Sequence, residues 1–439
     1  MRRGVVVVVF LVAALAAGWL ACSPGTAAKR PNVIMIVMDT TRADRCSVQG
    51  YGRETTPRLE RFAKDAVVFT EAWSPAGWTG PAHASLFTGL RAEHHGFYTG
   101  NRLSLPAAIP TLSELLRAEG YATGCFTNNE LIGPNSGLNR AFDRFEPFFE
   151  DDTRPYPWAV ATHTVAAGWA AEQANAHRPF FLFVNDMEPH LKFTPTAEDE
   201  AKFVRGNPTP AAIAEMRAWD YPHTIAYSAG AEELTPAQLA LLSDLYDAEI
   251  ATLDREVGVL LDRLRADGLL DSTVIVILGD HGESIGEHGT YDHGHGLHSQ
   301  LLHVPLLMRF PGSLDGGRKV DDLVRLEDVA PTLLELCGLA PIDASDGVSL
   351  TGGLRGRVAR GIFGEQTHAM EQIARAFPGA DLSIYRTSIR SVYDGRLHLL
   401  RYSTGREELF DVKRDPGETS DLAPQGGEDL ARLRALLPN

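Results

Sequence analysis

Pro31-Asn32-Val33-Ile34-Met35-Ile36-Val37-Met38-Asp39-Thr40 is the stretch that decides the fold. Its unbroken apolar and mostly β-branched run suits a strand covered on both faces, and the run ends on a carboxylate. Phe180 to Val184 and Thr273 to Leu278 repeat the design. The first is followed by Asn185-Asp186, Glu188 and His190, the second by Gly279-Asp280-His281. Between the runs lie helix signals. Thr111-Leu112-Ser113-Glu114 reads as a capping box opening Leu115 to Glu119, and Thr235-Pro236-Ala237-Gln238 opens an amphipathic stretch to Arg265. Strands alternating with helices predict an α/β fold, a central mixed sheet with helices on both faces. Ligands of such sheets sit beyond the carboxyl ends of the strands, so the polar residues that close the runs are the first candidates for a site.

Working outward, the segment from Asp151 to Gly230 is rich in Pro, Ala and Trp and weakly periodic, and reads as loops and short helices around one strand. After about Ser345 the chain turns to short strand-like runs, Thr387 to Tyr393 and Leu397 to Tyr402, with a polar helical tail from Asp429. This predicts a main domain over 31–345 and a small antiparallel C-terminal subdomain over 346–439. A chain of 439 residues, 44% of them hydrophobic, can bury a large core, which excludes a disordered scaffold. A net charge of -16 leaves no basic stripe to follow a phosphate backbone, so no nucleic-acid partner is expected. An anionic substrate must be held by local cations or by metal.

The first residues, Met1-Arg2-Arg3-Gly4 and then Val5 to Ala21, have the charged start and apolar run of a signal peptide, with residues 22–30 as a short tether. Ala21-Cys22 resembles a bacterial lipoprotein processing site, although Trp19 stands where that pattern usually has leucine. The expectation is an exported protein, periplasmic or anchored to the outer membrane through a lipid on Cys22. Cleavage without lipid and a retained anchor are the alternatives. Cys46, Cys125 and Cys337 are widely spaced and form no Cys-x-x-Cys pair, so they read as core thiols or at most one bridge.

Six of the 15 histidines fall between His281 and His303, amid Asp280, Glu283, Glu287, Asp292 and many glycines. Imidazole and carboxylate together bind divalent metals, and glycine lets backbone fold closely round them. Asp280-His281, directly after a strand, reads as a metal pair. His288, His295, His298 and His303 read as supporting or structural.

These motifs together resemble the sulfatases of the alkaline-phosphatase superfamily. The resemblance is carried by the opening stretch, Gly50-Tyr51-Gly52, Ala84-Ser85-Leu86-Phe87-Thr88-Gly89, Gly279-Asp280-His281-Gly282-Glu283 and Val304-Pro305-Leu306-Leu307, then by Asp328-Val329-Ala330-Pro331-Thr332-Leu333-Leu334 and Glu408-Leu409-Phe410-Asp411, in the family's order from about residue 31 to 422. It implies an alkaline-phosphatase-like fold and metal-dependent ester hydrolysis or group transfer. The family's nucleophile motif, cysteine-x-proline-x-arginine, reads here Thr79-Gly80-Pro81-Ala82-His83. Threonine cannot yield the formylglycine that sulfatases make from cysteine or serine. It does serve as nucleophile in related pyrophosphatase/phosphodiesterases and in phosphoglycerol and phosphoethanolamine transferases. A metal-bound hydroxyl has a lowered pKa and attacks in line, so Thr79 is the expected nucleophile. Pro81 at a first helical position would start a helix just behind it, and Thr79 as a mere helix cap is the alternative.

By family position Asp39, Thr79, Asp280 and His281 hold the metal. Thr40 and His281 replace an aspartate and an asparagine of the usual calcium set, which shifts preference toward zinc or manganese, with calcium an alternative. Asp186-x-x-x-His190 with His293 resembles a second zinc site. Glu188-Pro189-His190 equally resembles the sulfatase segment whose histidine contacts the oxyanion or leaving group, so one ion or two are open. His83 stands for the family's arginine and either orients Thr79 or only supports it. His293 is nearest the place of a missing substrate-binding lysine, and His190 or His293 is the expected acid for the leaving group. Phosphate esters are the expected substrates, with a glycan, lipid or small-molecule leaving group. Sulfate esters are the alternative, and a binding protein with a dead site the alternative of another class. For the N-terminus, Cys22→Ser should move the protein from the membrane fraction to the soluble one; a variant that stays with membranes as fully as the parent would rule out the lipid.

Overall fold

Alternation along one strand organises the whole molecule. In β1 (Asn32–Met38) every residue from Val33 onward is fully buried. Ile34, Ile36 and Met38 feed one hydrophobic cluster, while Val33, Met35 and Val37 feed another on the opposite face. This two-sided burial is why the run is apolar without interruption, each such side chain contributing about 2 kcal/mol. The computed structural model describes residues 30–97, 104–150, 153–352, 357–364, 377–378 and 380–437. The expected signal peptide, Cys22 and the tether up to residue 29 lie outside the described residues.

The remaining strands, in chain order, are β2 (Val67–Trp73), β3 (Ala122–Thr127), β4 (Arg144–Pro147), β5 (Phe180–Asp186) and β6 (Thr273–Leu278). There follow the two-residue strands β7 (Ser284–Ile285) and β8 (Tyr291–Asp292), then β9 (His303–Arg309) and β10 (Arg318–Arg325). Last come β11 (Ala359–Phe363), β12 (Ile389–Tyr393), β13 (Leu397–Tyr402) and β14 (Glu407–Asp411). Eight of them form one sheet in the order β10-β2-β9-β6-β1-β5-β3-β4. Only β9 runs against its neighbours; all other adjacent pairs are parallel. The chain therefore has the α/β, alkaline-phosphatase-like fold expected, with a small antiparallel C-terminal sheet β11-β12-β13-β14.

Both capping boxes form, Thr111 with Glu114 before the helix Leu112–Ala118 and Thr235 with Gln238 before the 31-residue helix Pro236–Ala266. Two local expectations are corrected. The segment read as loops and short helices contains an 18-residue helix, Trp158–Asn175. Much of its buried face is alanine, Ala159, Ala166, Ala167 and Ala170, so the contrast between its faces is faint in sequence. The helix expected to start at Pro81 instead begins at Thr79 and runs to Thr88, its cap residue being Trp78 in an extended conformation. Pro81 is tolerated there because N–H groups of a first turn have no partner within the helix. Cys46, Cys125 and Cys337 are buried free thiols. Among the described residues no helix is long and apolar enough to cross a membrane.

The C-terminal sheet docks through Trp73, at the end of β2. Trp73 stacks on Tyr393 with ring centroids 4.0 Å apart, and Tyr393 donates its hydroxyl to Glu71 at 2.9 Å. Leu301, Leu302, Ile389, Leu400 and Phe410 complete this interface. Tyr393→Ala should cost about 3 kcal/mol, the loss expected for a buried aromatic, whereas Tyr393→Phe should cost about 1 kcal/mol for the hydrogen bond alone. Urea denaturation of the two variants checks the order.

Candidate active site

Register brings the site together. Met38 pairs with Asp186, Val37 with Leu278 and Thr127 with Asn185, so β1, β3, β5 and β6 end at one edge of the sheet. The residues just past those ends are Asp39, Asn129 and Asp280-His281. Helix Thr79–Thr88 presents its first residue to the same point. Thr79 Oγ1 lies 3.2 Å from His281 Nε2 and accepts a hydrogen bond from Asn129 Nδ2 at 3.2 Å. The hydroxyl does not cap the helix.

Asp39, Asp280 and His281 are completely buried, and Thr79 almost so. His281 Nε2 lies 3.3 Å from Asp280 Oδ2 and 3.6 Å from Asp39 Oδ1. Each carboxylate has one oxygen engaged. Asp39 Oδ2 accepts from Asn129 and Asn185, at 2.8 and 3.2 Å, and Asp280 Oδ1 from the backbone N–H of Thr40 and His281. The other oxygens, Asp39 Oδ1 and Asp280 Oδ2, have no hydrogen-bond partner. Unpartnered buried carboxylate oxygens are costly unless they have a cation to face. Asp39, Asp280 and His281 accordingly form one of two groups among the described residues whose ligand atoms lie close enough to hold a metal ion. The donor set fits a divalent cation, as the expectation for these residues required.

His83 joins the start of the Thr79–Thr88 helix to Asp280. Its Nδ1 is 3.0 Å from the Thr79 carbonyl and 3.4 Å from Asp280 Oδ2. Burial works against its charge, yet Asp280, Asp39 and that carbonyl raise its pKa overall. For Asp280 burial alone would raise the pKa, but His281 and His83 hold it below the usual carboxylate range. His281 goes the other way: burial, with the charge of His293 nearby, favours the neutral ring that a metal needs.

The trio Asp186, His190 and His293 is not brought to one point. Asp186 faces His163, whose Nε2 is 2.9 Å from Asp186 Oδ2. His190 and His293 do meet, with ring centroids 4.9 Å apart, and the His293 ring is 4.6 Å from that of His281. His293 Nδ1 lies 2.8 Å from Asp292 Oδ1 and 3.3 Å from Glu283 Oε1, the second close group of potential ligands. Burial opposes the charge on His293, but the two carboxylates raise its pKa well above the ordinary value. Glu283 and Asp292 thus favour the charged form of His293. Sequence reasoning missed Asn129, Glu283, Asp292 and His163. The motif running from Asp280 to His293 already contained Glu283 and Asp292.

Fold and cage together define a class, an α/β ester hydrolase built for chemistry at an oxyanion centre. Residues 31–339 match the model of the sulfatase family, and the chain belongs to that family; residues 286–434 match the C-terminal model of N-sulphoglucosamine sulphohydrolase. It is a sulfatase-like ester hydrolase. A sulfatase of Formosa agariphila is 24% identical over 93% of this chain and 86% of its own length. The phosphonate monoester hydrolase of Agrobacterium radiobacter superposes with a TM-score of 0.72 at 23% identity, covering 92% of this chain and 94% of that one. A 2-O GAG sulfatase gives 0.71 at 20% identity, covering 93% and 91%. Sulfatase is the commonest name among similar proteins, so these names favour the expected alternative, sulfate esters, over the phosphate esters expected first.

A close backbone approach fixes the cage. A Cβ on Gly282 would sit 1.9 Å from the Gln300 carbonyl oxygen, so Gly282→Ala must displace the loop that carries His281. The variant should lose bound metal, read by elemental analysis, and at least 100-fold in turnover, the scale on which small misplacements are felt.

Proposed function

We propose that this protein hydrolyses phosphorus esters, with Thr79 as the attacking group and a covalent Thr79 ester as intermediate. The single observation that carries the reading is the Thr79 hydroxyl, buried against His281 and Asn129 beside the two unpartnered carboxylate oxygens. Asp39, Asp280, His281 and Thr79 would hold one divalent ion, and the imidazole in this otherwise oxygen-donor set turns the preference from calcium toward zinc or manganese. When bound, such an ion supplies Lewis-acid stabilisation of charge developing at the ester.

The chain's own groups divide the remaining work. The Asn129 amide holds the Thr79 oxygen and donates toward it, fixing the direction of attack. His83 ties the start of the helix to Asp280 and so keeps Thr79 in register with the cage. The His293 cation, backed by Glu283 and Asp292, attracts a non-bridging oxygen of the substrate. His190, beside it and half-buried, is placed to give a proton to the departing alcohol and then to take one from the water that cleaves the Thr79 ester.

Sulfate esters are the second reading, favoured by the names of the relatives. Against it stands the side chain itself, which cannot be oxidised to an aldehyde. Turnover of paired aryl phosphate, phosphonate and sulfate esters decides between them, with and without a co-expressed formylglycine-generating enzyme. Phosphorus esters should react faster and the helper enzyme should change nothing; a clear preference for sulfate would overturn the phosphorus reading and leave the family assignment intact.

The division of labour makes a further prediction. Thr79→Ala should lower turnover by several orders of magnitude while metal content is retained, the scale on which loss of a nucleophile is felt. Thr79→Ser should keep part of the activity, and Asp280→Asn or His281→Ala should lose metal and activity together. Near-parental turnover by Thr79→Ala would show that some other group attacks.

A further inference from the structure

Among the described residues Thr40 is the only β-branched residue whose backbone takes a positive φ, +54°. A branched side chain makes that left-handed conformation costly, so something must hold the chain there. The holder comes from outside the sheet. Tyr246, completely buried within the helix Pro236–Ala266, donates its hydroxyl to the Thr40 carbonyl at 2.6 Å and accepts the Arg42 N–H at 3.1 Å. Its ring packs on Phe193, with centroids 5.5 Å apart. Burial pushes the Tyr246 phenol well above its ordinary pKa, so the hydroxyl keeps the proton that it donates.

The turn held in this way reaches the carboxylates through the backbone. The Thr40 N–H donates to Asp280 Oδ1 at 3.3 Å, and the His281 N–H donates to the same oxygen at 2.9 Å. Two donors on one oxygen set the rotation of the carboxylate, and Oδ2 is left as the unpartnered atom. Arg42 adds a second link. Its guanidinium donates to the Glu283 carbonyl at 2.9 Å and to Glu287 Oε1 at 2.8 Å, which ties the turn after β1 to the loop after β6. The hydroxyl of Tyr246 therefore meets the turn at a carbonyl and an N–H two residues apart, between its two links to that loop.

We infer that Tyr246 is a positioning residue of the metal cage: its hydroxyl holds Thr40 in a conformation that a β-branched residue avoids, and the Thr40 N–H in turn aims Asp280 Oδ2 at the cation. The inference rests on the reading of Asp39, Asp280 and His281 as metal ligands and deepens it. Tyr246 acts on Asp280 only through Thr40. A residue that accepts a positive φ without strain would need the hydroxyl less.

The test uses the full-length, metal-stripped enzyme, titrated with Zn2+ and with Mn2+, in a double-mutant cycle between the two positions. Tyr246→Phe keeps the ring and removes only the hydroxyl. It should weaken ion binding about 10-fold, the scale of one net hydrogen bond. Glycine takes a positive φ at no steric cost, so in a Thr40→Gly background the same change should weaken binding less than about 3-fold. A merely structural tyrosine would lower the urea midpoint and leave ion affinity at the parental level. That result, or an equal loss of affinity in both backgrounds, overturns the inference. A parent enzyme that binds neither ion would overturn the metal cage instead, and amide exchange in the metal-free protein then decides whether Tyr246 positions Thr40. The Thr40 N–H should exchange about 10-fold faster in Tyr246→Phe while the amides of β1 stay protected, and an unchanged rate would sink the idea.

Discussion

Two aspartates buried side by side out of water set the terms for the rest of this structure. Asp39 and Asp280 sit at the ends of adjacent strands with no exposure, and Asp280 is held ionised by the imidazoles around it. Isolated burial of two carboxylates would cost many kcal/mol and would drive protons onto them. The molecule meets this cost in pieces. Asparagine amides, two backbone N–H groups and His281 each take a share, and the remaining oxygens are left for a cation. Thr79, His83 and the glycine-bounded loop after β6 all have their positions fixed by what this pair of charges needs.

The sheet supplies the rigidity that such an arrangement requires. Because β1 is packed on both faces, neither Asp39 nor its neighbours can shift without disturbing two hydrophobic clusters at once. Parallel pairing of β1 with β5 and β6 places three chain segments, more than 200 residues apart at the extremes, side by side at their carboxyl ends. Functional loops in this fold can therefore vary widely while the cage remains where the strands put it.

Much of this was legible in the sequence because strands buried on both faces are written without alternation. The ends at Met38 and Leu278 could be read off directly, and with them Asp39, Asp280 and His281, whereas the run read as ending at Val184 continues to Asp186. Asn129 escaped because β3, Ala-Thr-Gly-Cys-Phe-Thr, mixes polar and small residues and does not read as such a run. Glu283 and Asp292 escaped as partners of His293 for another reason. They are joined by a ribbon of two residues per strand, with Ser284 opposite Asp292, too short to leave a period of its own. Asp186 shows the limit of spacing arguments. Asp186-x-x-x-His190 is a plausible ligand pair on paper, yet one oxygen of the carboxylate bonds His163, from a helix whose alanine face hid it.

The departures from the sulfatase pattern are best understood together. Thr40 removes a carboxylate beside Asp39, and His281 places an imidazole where the family has an asparagine. Thr79 removes the convertible cysteine, and His83 removes the arginine that would support it. Each change alone would damage a formylglycine site. Jointly they lower the negative charge of the carboxylate group by one and put a hydroxyl 3.2 Å from His281 Nε2, on a ring whose burial disfavours its charge. A cage with less negative charge leaves more of a cation's field unneutralised, and that field is what an ordinary hydroxyl needs if it is to be deprotonated near neutral pH. On the proposed reading, the half-buried His293 with its two carboxylates would take over the grip on a substrate oxyanion that the lost cationic side chains supplied. On the proposed reading, one physical change, from an aldehyde hydrate supported by arginine and lysine to a hydroxyl supported by metal and histidine, would account for all of these substitutions at once.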